Sequence, residues 1–147
     1  MPHKLLDAAT PADSRETERF IALVADKLTA TDRLFRECLA SDVPFIQKSG
    51  EYIFDGGGKR MRPALLLLCA RLLDRDGEEE VTYAAVVELI RTATLIHDDI
   101  IDHSALRRGR KTINELWGNN LTVLLGDWLY TTAMKMALRH GSVAILD

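Results

Sequence analysis

The sequence predicts an all-α protein. Apolar residues recur at steps of three and four positions in five long segments, which is the spacing of one face of an α-helix. No segment alternates apolar and polar residues as a strand would, and short polar stretches separate the helical segments. With 147 residues, 47% of them hydrophobic, and no repeat or linker, we expect residues 1–147 to form a single all-α domain.

Five helices and one short turn are expected after a flexible tail at residues 1–12, which carry no helix signal. Residues that cap a helix or open its first turn indicate the starts: Asp13 with Glu16, Ser41 or Asp42 before Pro44, Pro63, Thr82, and Asn119 or Asn120. The apolar spacing then predicts helices at about 13–40, 44–55, 63–73, 82–102 and 119–136, with a turn at 113–117. The third helix is apolar nearly all round, so we expect it at the centre of the packing.

The composition excludes several classes of protein. The net charge is −3 and the basic residues are clustered locally, whereas nucleic-acid binding needs a broad basic face. Cys38 and Cys69 stand alone, which indicates reduced, buried thiols in a cytosolic protein. The first ten residues lack the apolar core of a signal peptide, and no apolar run is long enough to span a bilayer. We therefore expect a cytoplasmic protein.

A glycine-rich basic stretch, residues 56–63, is the first candidate for binding. Three glycines let the backbone approach a ligand, and Lys59, Arg60 and Arg62 follow at the start of a predicted helix, where the dipole favours an anion. A diphosphate would suit this arrangement. Taken alone, however, the stretch favours a flexible link between helices with solvated basic residues, and it lacks the spacing of a nucleotide-binding P-loop.

Three aspartates at the end of the fourth predicted helix are the second candidate. Asp98 and Asp102 are four positions apart, so their carboxylates point the same way from a helix. Two hard oxygen ligands on one side suit Mg²⁺, which takes phosphate oxygens as further ligands. Arg91 lies seven residues before Asp98 and is expected to face the same cavity or interface.

A polar segment at 103–112 follows the aspartates and is predicted to be a loop that folds back over them. Four of the five positions after Leu106 are basic. Arg107 and Arg108 bring planar guanidinium groups that can grip phosphate oxygens at two points. Carboxylates, a metal ion and a phosphate are the simplest chemistry that satisfies both segments.

Together these motifs resemble the trans-polyprenyl diphosphate synthases. The resemblance covers the chain from about Phe45 and rests on four motifs in order: Gly57-Gly58-Lys59-Arg60-Met61-Arg62-Pro63, Leu95-Ile96-His97-Asp98-Asp99-Ile100-Ile101-Asp102, Leu106-Arg107-Arg108-Gly109, and Gly126-Asp127. It implies an isoprenoid-synthase-type helical bundle around a central cavity, of which this chain holds the N-terminal helices. It also implies head-to-tail condensation of isopentenyl diphosphate with an allylic diphosphate, giving a polyprenyl diphosphate.

The resemblance also implies roles for individual residues. Asp98 and Asp102 would bind Mg²⁺ that bridges to the allylic diphosphate, with Asp99 in support. Arg107 would contact that diphosphate. Lys59, Arg62 and Arg108 would hold isopentenyl diphosphate. A homodimer and peripheral membrane contact through the lipid product are implied as well.

Two departures from the family pattern stand out. The family usually has histidine, or sometimes glutamine, where this chain has Arg91. Arginine could still grip a diphosphate, or it could form a surface pair with Glu88 three positions earlier, worth only about 0.3 kcal/mol. We favour the cavity because Arg91 shares the face of Asp98.

The second departure is the missing second aspartate-rich motif, which the family carries in a later helix. We therefore expect these 147 residues to be the N-terminal half of a synthase, inactive alone. The alternative is a non-catalytic or regulatory subunit of a complete synthase. A helical interaction or metal-storage module is the weakest hypothesis, because the long helix has none of the Glu-x-x-His pairs that hold metal ions in ferritin-like bundles.

Two smaller expectations concern the same helix. Small residues, Ala93 and Thr94, stand where bulky ones close the pocket in short-chain members of the family, which favours a long product unless they merely pack the helix. His97 is predicted to be a hydrogen-bonded core histidine.

Overall fold

The computed structural model describes residues 11–58 and 60–140. In these ranges the elements run in the order α1 (Pro11–Ala22), α2 (Ala25–Leu39), α3 (Pro44–Asp55), α4 (Met61–Leu72), α5 (Glu79–Ile101), β1 (Leu106–Arg107), β2 (Arg110–Lys111), α6 (Ile113–Trp117), α7 (Asn119–Ala137) and a 3-10 turn at Leu138–His140. The all-α prediction is confirmed. The predicted tail lies outside the described residues except for its last two positions, which belong to α1.

Helix α5 lies at the centre of the fold, in contact with α2, α4, α6 and α7. Its Leu89 is fully buried together with Phe35 from α2 and Leu125 and Leu129 from α7. These side chains form one continuous core, because apolar area is removed from water wherever the helices meet. Among the described residues, no helix combines the length and the apolar character needed to cross a bilayer.

The first predicted helix is two helices. The backbone N–H groups of Leu23 and Val24 donate to the carbonyls of Phe20 and Ile21, a three-residue spacing that ends α1 before Ala25 begins α2. Val24 is buried against Leu67 and Ala84. The break was not visible in the sequence, because Val24 keeps its place in the apolar pattern.

The predicted helix starts are partly wrong. Helix α5 begins three residues before Thr82, and the acidic side chains Glu79 and Glu80 occupy the first turn, where the helix dipole favours them. Helix α7 begins at Asn119, but Gly118 occupies the capping position, with a φ of 81° that favours glycine. Neither Thr82 nor an asparagine is the cap.

The starts of helices α3 and α4 were also predicted only in part. Pro44 begins α3 as predicted, but the capping position belongs to Val43, and Ser41 accepts a hydrogen bond from the Val43 N–H. Helix α4 begins at Met61, so that Pro63 lies within its first turn rather than at its start.

Helix α4 is not enclosed as expected. Leu65 is 63% exposed and Leu72 is 84% exposed, so one side of this helix faces outward. Cys69 lies on the exposed side, and the prediction that both thiols are buried is wrong for this residue. Cys38 is half-buried, which raises the pKa of its thiol, and its Sγ lies 3.0 Å from Met136 Sδ. Both cysteines are free.

The predicted loop at 103–112 contains a small antiparallel hairpin. Leu106 pairs with Lys111 and Arg107 pairs with Arg110. Arg108 and Gly109 form the two-residue turn with φ values of 52° and 77°, the combination of positive φ that suits the twist of a tight hairpin. The expectation that the chain has no strand is wrong here, because two-residue strands are too short to produce an alternating pattern.

Candidate functional site

A cavity of about 160 Å³ lies between the end of α3, the glycine-rich stretch, α5 and the hairpin. Six basic and two acidic side chains line it among the described residues: Arg60, Arg91, Arg107, Arg108, Arg110 and Lys111, with Glu88 and Asp99. The lining therefore carries a clear excess of positive charge. Guanidinium groups that converge on one cavity suit a compact polyanion such as a diphosphate.

The hairpin places its basic residues by three contacts with α3 and the glycine-rich stretch. The Tyr52 hydroxyl donates to the Lys111 carbonyl oxygen at 2.7 Å. The Arg110 guanidinium lies 4.1 Å from the centre of the Tyr52 ring. Arg108 Nη1 donates to the Gly57 carbonyl oxygen at 3.3 Å.

The predicted fold-back over the aspartates is observed only for Asp99, which Arg107 covers, whereas Asp98 and Asp102 stay exposed. The segment folds instead against α3 and the glycine-rich stretch and closes the cavity from one side.

Asp99 and Arg107 form a tight ion pair at the edge of the cavity. Arg107 Nη2 and Nε lie 2.8 Å and 2.9 Å from Asp99 Oδ1, and Nε lies 3.1 Å from Oδ2. Asp99 is buried, and the hydrogen bond to it raises the pKa of the Arg107 guanidinium. The charges of Asp98 and Asp102 act in the same direction, so all three aspartates lie within electrostatic reach of Arg107.

Asp98 and Asp102 lie on the last turn of α5 and at its end, exposed to solvent. They do not line the cavity, and Arg91, which was predicted to share it with them, does. Their two carboxylates fit Mg²⁺, which binds one or two carboxylates together with waters and phosphate oxygens. Asp99 directs both oxygens to Arg107 instead. In the described part of the chain, no three His, Cys, Asp or Glu residues are grouped to hold a metal ion.

Arg91 combines the two interpretations that the sequence left open. Its Nη1 donates to Glu88 Oε1 at 3.3 Å, so the pair along the helix exists. Both residues also line the cavity. Glu88 is only 4% exposed, so the pair lies inside the site rather than on the surface.

The structure does not place the other residues singled out by the sequence in the cavity lining. Lys59 lies outside the described residues. Arg62 is exposed in the first turn of α4 and does not line the cavity. Thr94 is exposed, and Ala93 is buried in the core, so neither lines the cavity described here.

His97 makes the predicted hydrogen-bonding contact but is not a core residue. Its Nε2 lies 3.2 Å from the Val123 carbonyl oxygen and 3.6 Å from Asp127 Oδ1, and its side chain is 34% exposed. The ring packs against Gly126, where a Cβ atom would overlap it. This contact gives a physical reason for glycine in the Gly126-Asp127 motif.

Sequence reasoning missed the roles of Arg60 and Glu88. Arg60 has a φ of 47°, donates to Asp32 Oδ1 at 2.7 Å and donates to Glu88 Oε1 at 3.1 Å. It thereby connects α2, the start of α4 and α5. The only signal was Glu88 three positions before Arg91, since Asp32 and Glu88 each lie 28 residues from Arg60 in the sequence.

Comparison with known proteins identifies the family. The family model described as polyprenyl synthetase matches residues 43–147. This chain belongs to the polyprenyl synthetase family. Its relatives include the octaprenyl diphosphate synthase of Escherichia coli strain K12, which is 43% identical over 130 residues. The all-trans-nonaprenyl-diphosphate synthase (geranyl-diphosphate specific) of Rhodobacter capsulatus is 37% identical over 130 residues.

Solved structures of polyprenyl synthetases have the same fold. A decaprenyl diphosphate synthase from Rhodobacter capsulatus matches with a TM-score of 0.82 and 37% identity over 88% of this chain. A polyprenyl synthase from Caulobacter crescentus CB15, complexed with calcium and isoprenyl diphosphate, matches with a TM-score of 0.84 and 36% identity over 88% of this chain. The chain covers 40% of the Escherichia coli relative, 39% of the nonaprenyl synthase, and 40% and 39% of the two structures.

Proposed function

We propose that this chain forms the diphosphate-binding side of a Mg²⁺-dependent polyprenyl diphosphate synthase. The observation that carries the proposal is the cavity beside α5, lined by six basic side chains among the described residues and lying next to the exposed carboxylates of Asp98 and Asp102. The names of the relatives support a prenyl diphosphate as product, and the Caulobacter structure is a complex with calcium and isoprenyl diphosphate.

Each predicted residue has a role in this proposal. Arg91 and Arg108, together with Lys59 and Arg62, bind isopentenyl diphosphate. Arg107, held by Asp99, contacts the allylic diphosphate, so that Asp99 supports the metal site through Arg107. Mg²⁺ bound to Asp98 and Asp102 would supply positive charge against the leaving diphosphate.

The reaction then follows from charge stabilisation. The allylic C–O bond breaks and the diphosphate leaves with both electrons, its charge balanced by the basic side chains of the site. The isopentenyl double bond attacks the allylic cation and forms the new C–C bond. The departed diphosphate takes up the proton whose loss restores an alkene, so that the product is five carbons longer.

Binding experiments test the site assignment. Isothermal titration calorimetry with an allylic thiodiphosphate should show binding that requires Mg²⁺ and is lost in Asp98→Ala and in Asp102→Ala. Glu115→Gln, which changes an exposed carboxyl on α6, is the matched control and should bind like the parent. If Asp98→Ala kept the Mg²⁺-dependent binding, the metal assignment would be wrong.

Turnover is a separate expectation. Without the second aspartate-rich motif, we expect these 147 residues to bind diphosphates and form no product from isopentenyl diphosphate and farnesyl diphosphate in Mg²⁺. Products of any length would contradict this expectation. The cytoplasmic location and the membrane contact stay predictions. So does the homodimer.

A further inference from the structure

Glu88 is a buried carboxylate shared by two arginines. Its Oε1 accepts hydrogen bonds from Arg60 Nη1 at 3.1 Å and from Arg91 Nη1 at 3.3 Å. Its side chain is 5% exposed, against 16% for Arg60 and 25% for Arg91. A buried charge is costly unless it is paired, and the two guanidinium groups provide that pairing.

Arg91 is hydrogen-bonded to Glu88 and also lines the cavity. Among the described residues, the Arg91 side chain has one polar contact, the bond to Glu88. A guanidinium group has five N–H donors, so most of those of Arg91 remain available to a ligand in the cavity it lines. A long side chain that is already held loses less conformational entropy when it binds.

Glu88 also lies next to the glycine-rich stretch. A Cβ atom at Gly58 would lie 3.4 Å from Arg60 Nη1, 3.9 Å from Arg108 Nη1 and 4.0 Å from Glu88 Oε1. The backbone at Gly58 therefore lies close to the Glu88 carboxylate and to the guanidinium groups of Arg60 and Arg108. Glu88 therefore lies where Arg60 at the start of α4, Arg91 on α5 and Arg108 in the hairpin converge.

We infer that Glu88 is a positioning residue for the diphosphate site: it fixes Arg91, with Arg60 as its second partner, in the orientation that binds the anion. This inference rests on the proposed function. For removal of the Glu88 carboxylate, the inference predicts a change in diphosphate affinity opposite to the change that its negative charge alone would predict. A carboxylate near an anion repels it, so its removal should tighten diphosphate binding if charge alone mattered. If Glu88 acts by positioning Arg91, its removal should weaken binding.

The test is calorimetric titration of isopentenyl diphosphate into the parent chain and Glu88→Gln. We expect binding to weaken about fivefold to tenfold, the loss of one well-placed charge-assisted hydrogen bond. Glu80→Gln is the matched control, because Glu80 is also a buried carboxylate on α5 but pairs with Lys27 and Arg75 outside the cavity. It should lower stability without changing the affinity.

A double-mutant cycle separates positioning from a general structural effect. In an Arg91→Ala background, Glu88→Gln should cause little further loss of affinity, because Glu88 acts through Arg91. If Glu88→Gln does not fold, Glu88→Asp keeps the charge and shortens the side chain by one methylene, and it should also weaken binding.

Four outcomes would overturn the inference. They are unchanged or tighter binding by Glu88→Gln, an equal loss in Glu80→Gln, a full additional loss in the Arg91→Ala background, and unchanged binding by Glu88→Asp. The proposed function survives each of these, because the parent still binds the diphosphate. A parent that binds no diphosphate at all would overturn both.

Discussion

The imidazole ring of His97 occupies the space that a side chain at position 126 would fill. A Cβ atom on Gly126 would lie 2.6 Å from His97 Cδ2, closer than real contacts allow. The two residues lie where α5 packs on α7, the most extensive helix contact of the described fold. The approach of these helices therefore depends on glycine at this position.

Gly126→Ala should destabilise the protein. The added methyl group has to displace His97 or separate α5 from α7, and overpacking of this kind costs about 1–3 kcal/mol. The higher helix propensity of alanine offsets about 1 kcal/mol of this cost. Urea unfolding followed by circular dichroism measures the net change. The double variant His97→Ala with Gly126→Ala should recover the loss, and an equally unstable double variant would contradict the explanation.

Arg107→Ala should destabilise the fold because it leaves the buried Asp99 carboxylate without its partner. Breaking a fully buried pair costs about 3–5 kcal/mol, and since the Arg107 side chain is 41% exposed, we expect about 2 kcal/mol. Thermal and urea unfolding check this value. Adding Asp99→Asn should restore part of the stability, because the unpaired charge is then removed.

Arg33→Ala is the control for that experiment. Arg33 is exposed on α2, and its replacement should change the free energy of unfolding by less than about 0.5 kcal/mol. If Arg33→Ala and Arg107→Ala changed the free energy of unfolding equally, the ion pair between Arg107 and Asp99 would contribute nothing beyond the effect of an exposed arginine.

Tyr52→Phe should loosen the hairpin while leaving the helices intact. The substitution removes the hydroxyl that donates to the Lys111 carbonyl oxygen, a loss of about 0.5–1.5 kcal/mol in local stability. Hydrogen exchange measured by mass spectrometry should become faster at 104–113 and stay unchanged in α7. Tyr130→Phe, which alters an exposed tyrosine on α7, should leave the hairpin unaffected.

The free energy of unfolding should depend on pH through the Glu80 carboxyl group. Hydrogen bonds from the backbone lower its pKa, and Arg75 and Lys27 add to this effect, while desolvation opposes it. Because the folded-state pKa lies below the ordinary value of 4.5, the stabilisation is present above that pH and is lost as the pH falls through the folded-state value. Urea midpoints should therefore fall more steeply in the parent than in Glu80→Gln below pH 4.5. Parallel curves would contradict the assignment.

The sequence predicted those features that depend on local spacing. Apolar periodicity predicted most of the helices. Arg107 and Arg108 were predicted in a segment that folds back over the aspartates, and the segment does fold back, but it covers only Asp99 and otherwise lines the cavity. The break at Val24 escaped notice because a three-residue turn leaves the apolar pattern in phase. The hairpin escaped because its strands have two residues each.

The candidate site was only partly predictable, since its geometry depends on contacts between distant segments. Asp98 and Asp99 are neighbours in the sequence, but one is exposed and the other is buried against Arg107. The role of Arg60 depends on partners 28 residues away on either side, and no local pattern indicates such a contact. The resemblance implied a set of binding residues, but the Glu88 carboxylate shared by Arg60 and Arg91 became visible only in three dimensions.

The opposite environments of Asp98 and Asp99 make α5 sensitive to changes in length. Each added residue rotates the following side chains by about 100° around the helix axis. A single insertion between Arg91 and Asp98 would turn Asp99 away from Arg107 and move the exposed carboxylates relative to the cavity. An insertion in the exposed connection at 74–78, before α5 begins, would leave these relationships intact. Alignments of related chains should therefore show gaps in that connection and none between Glu88 and Asp102.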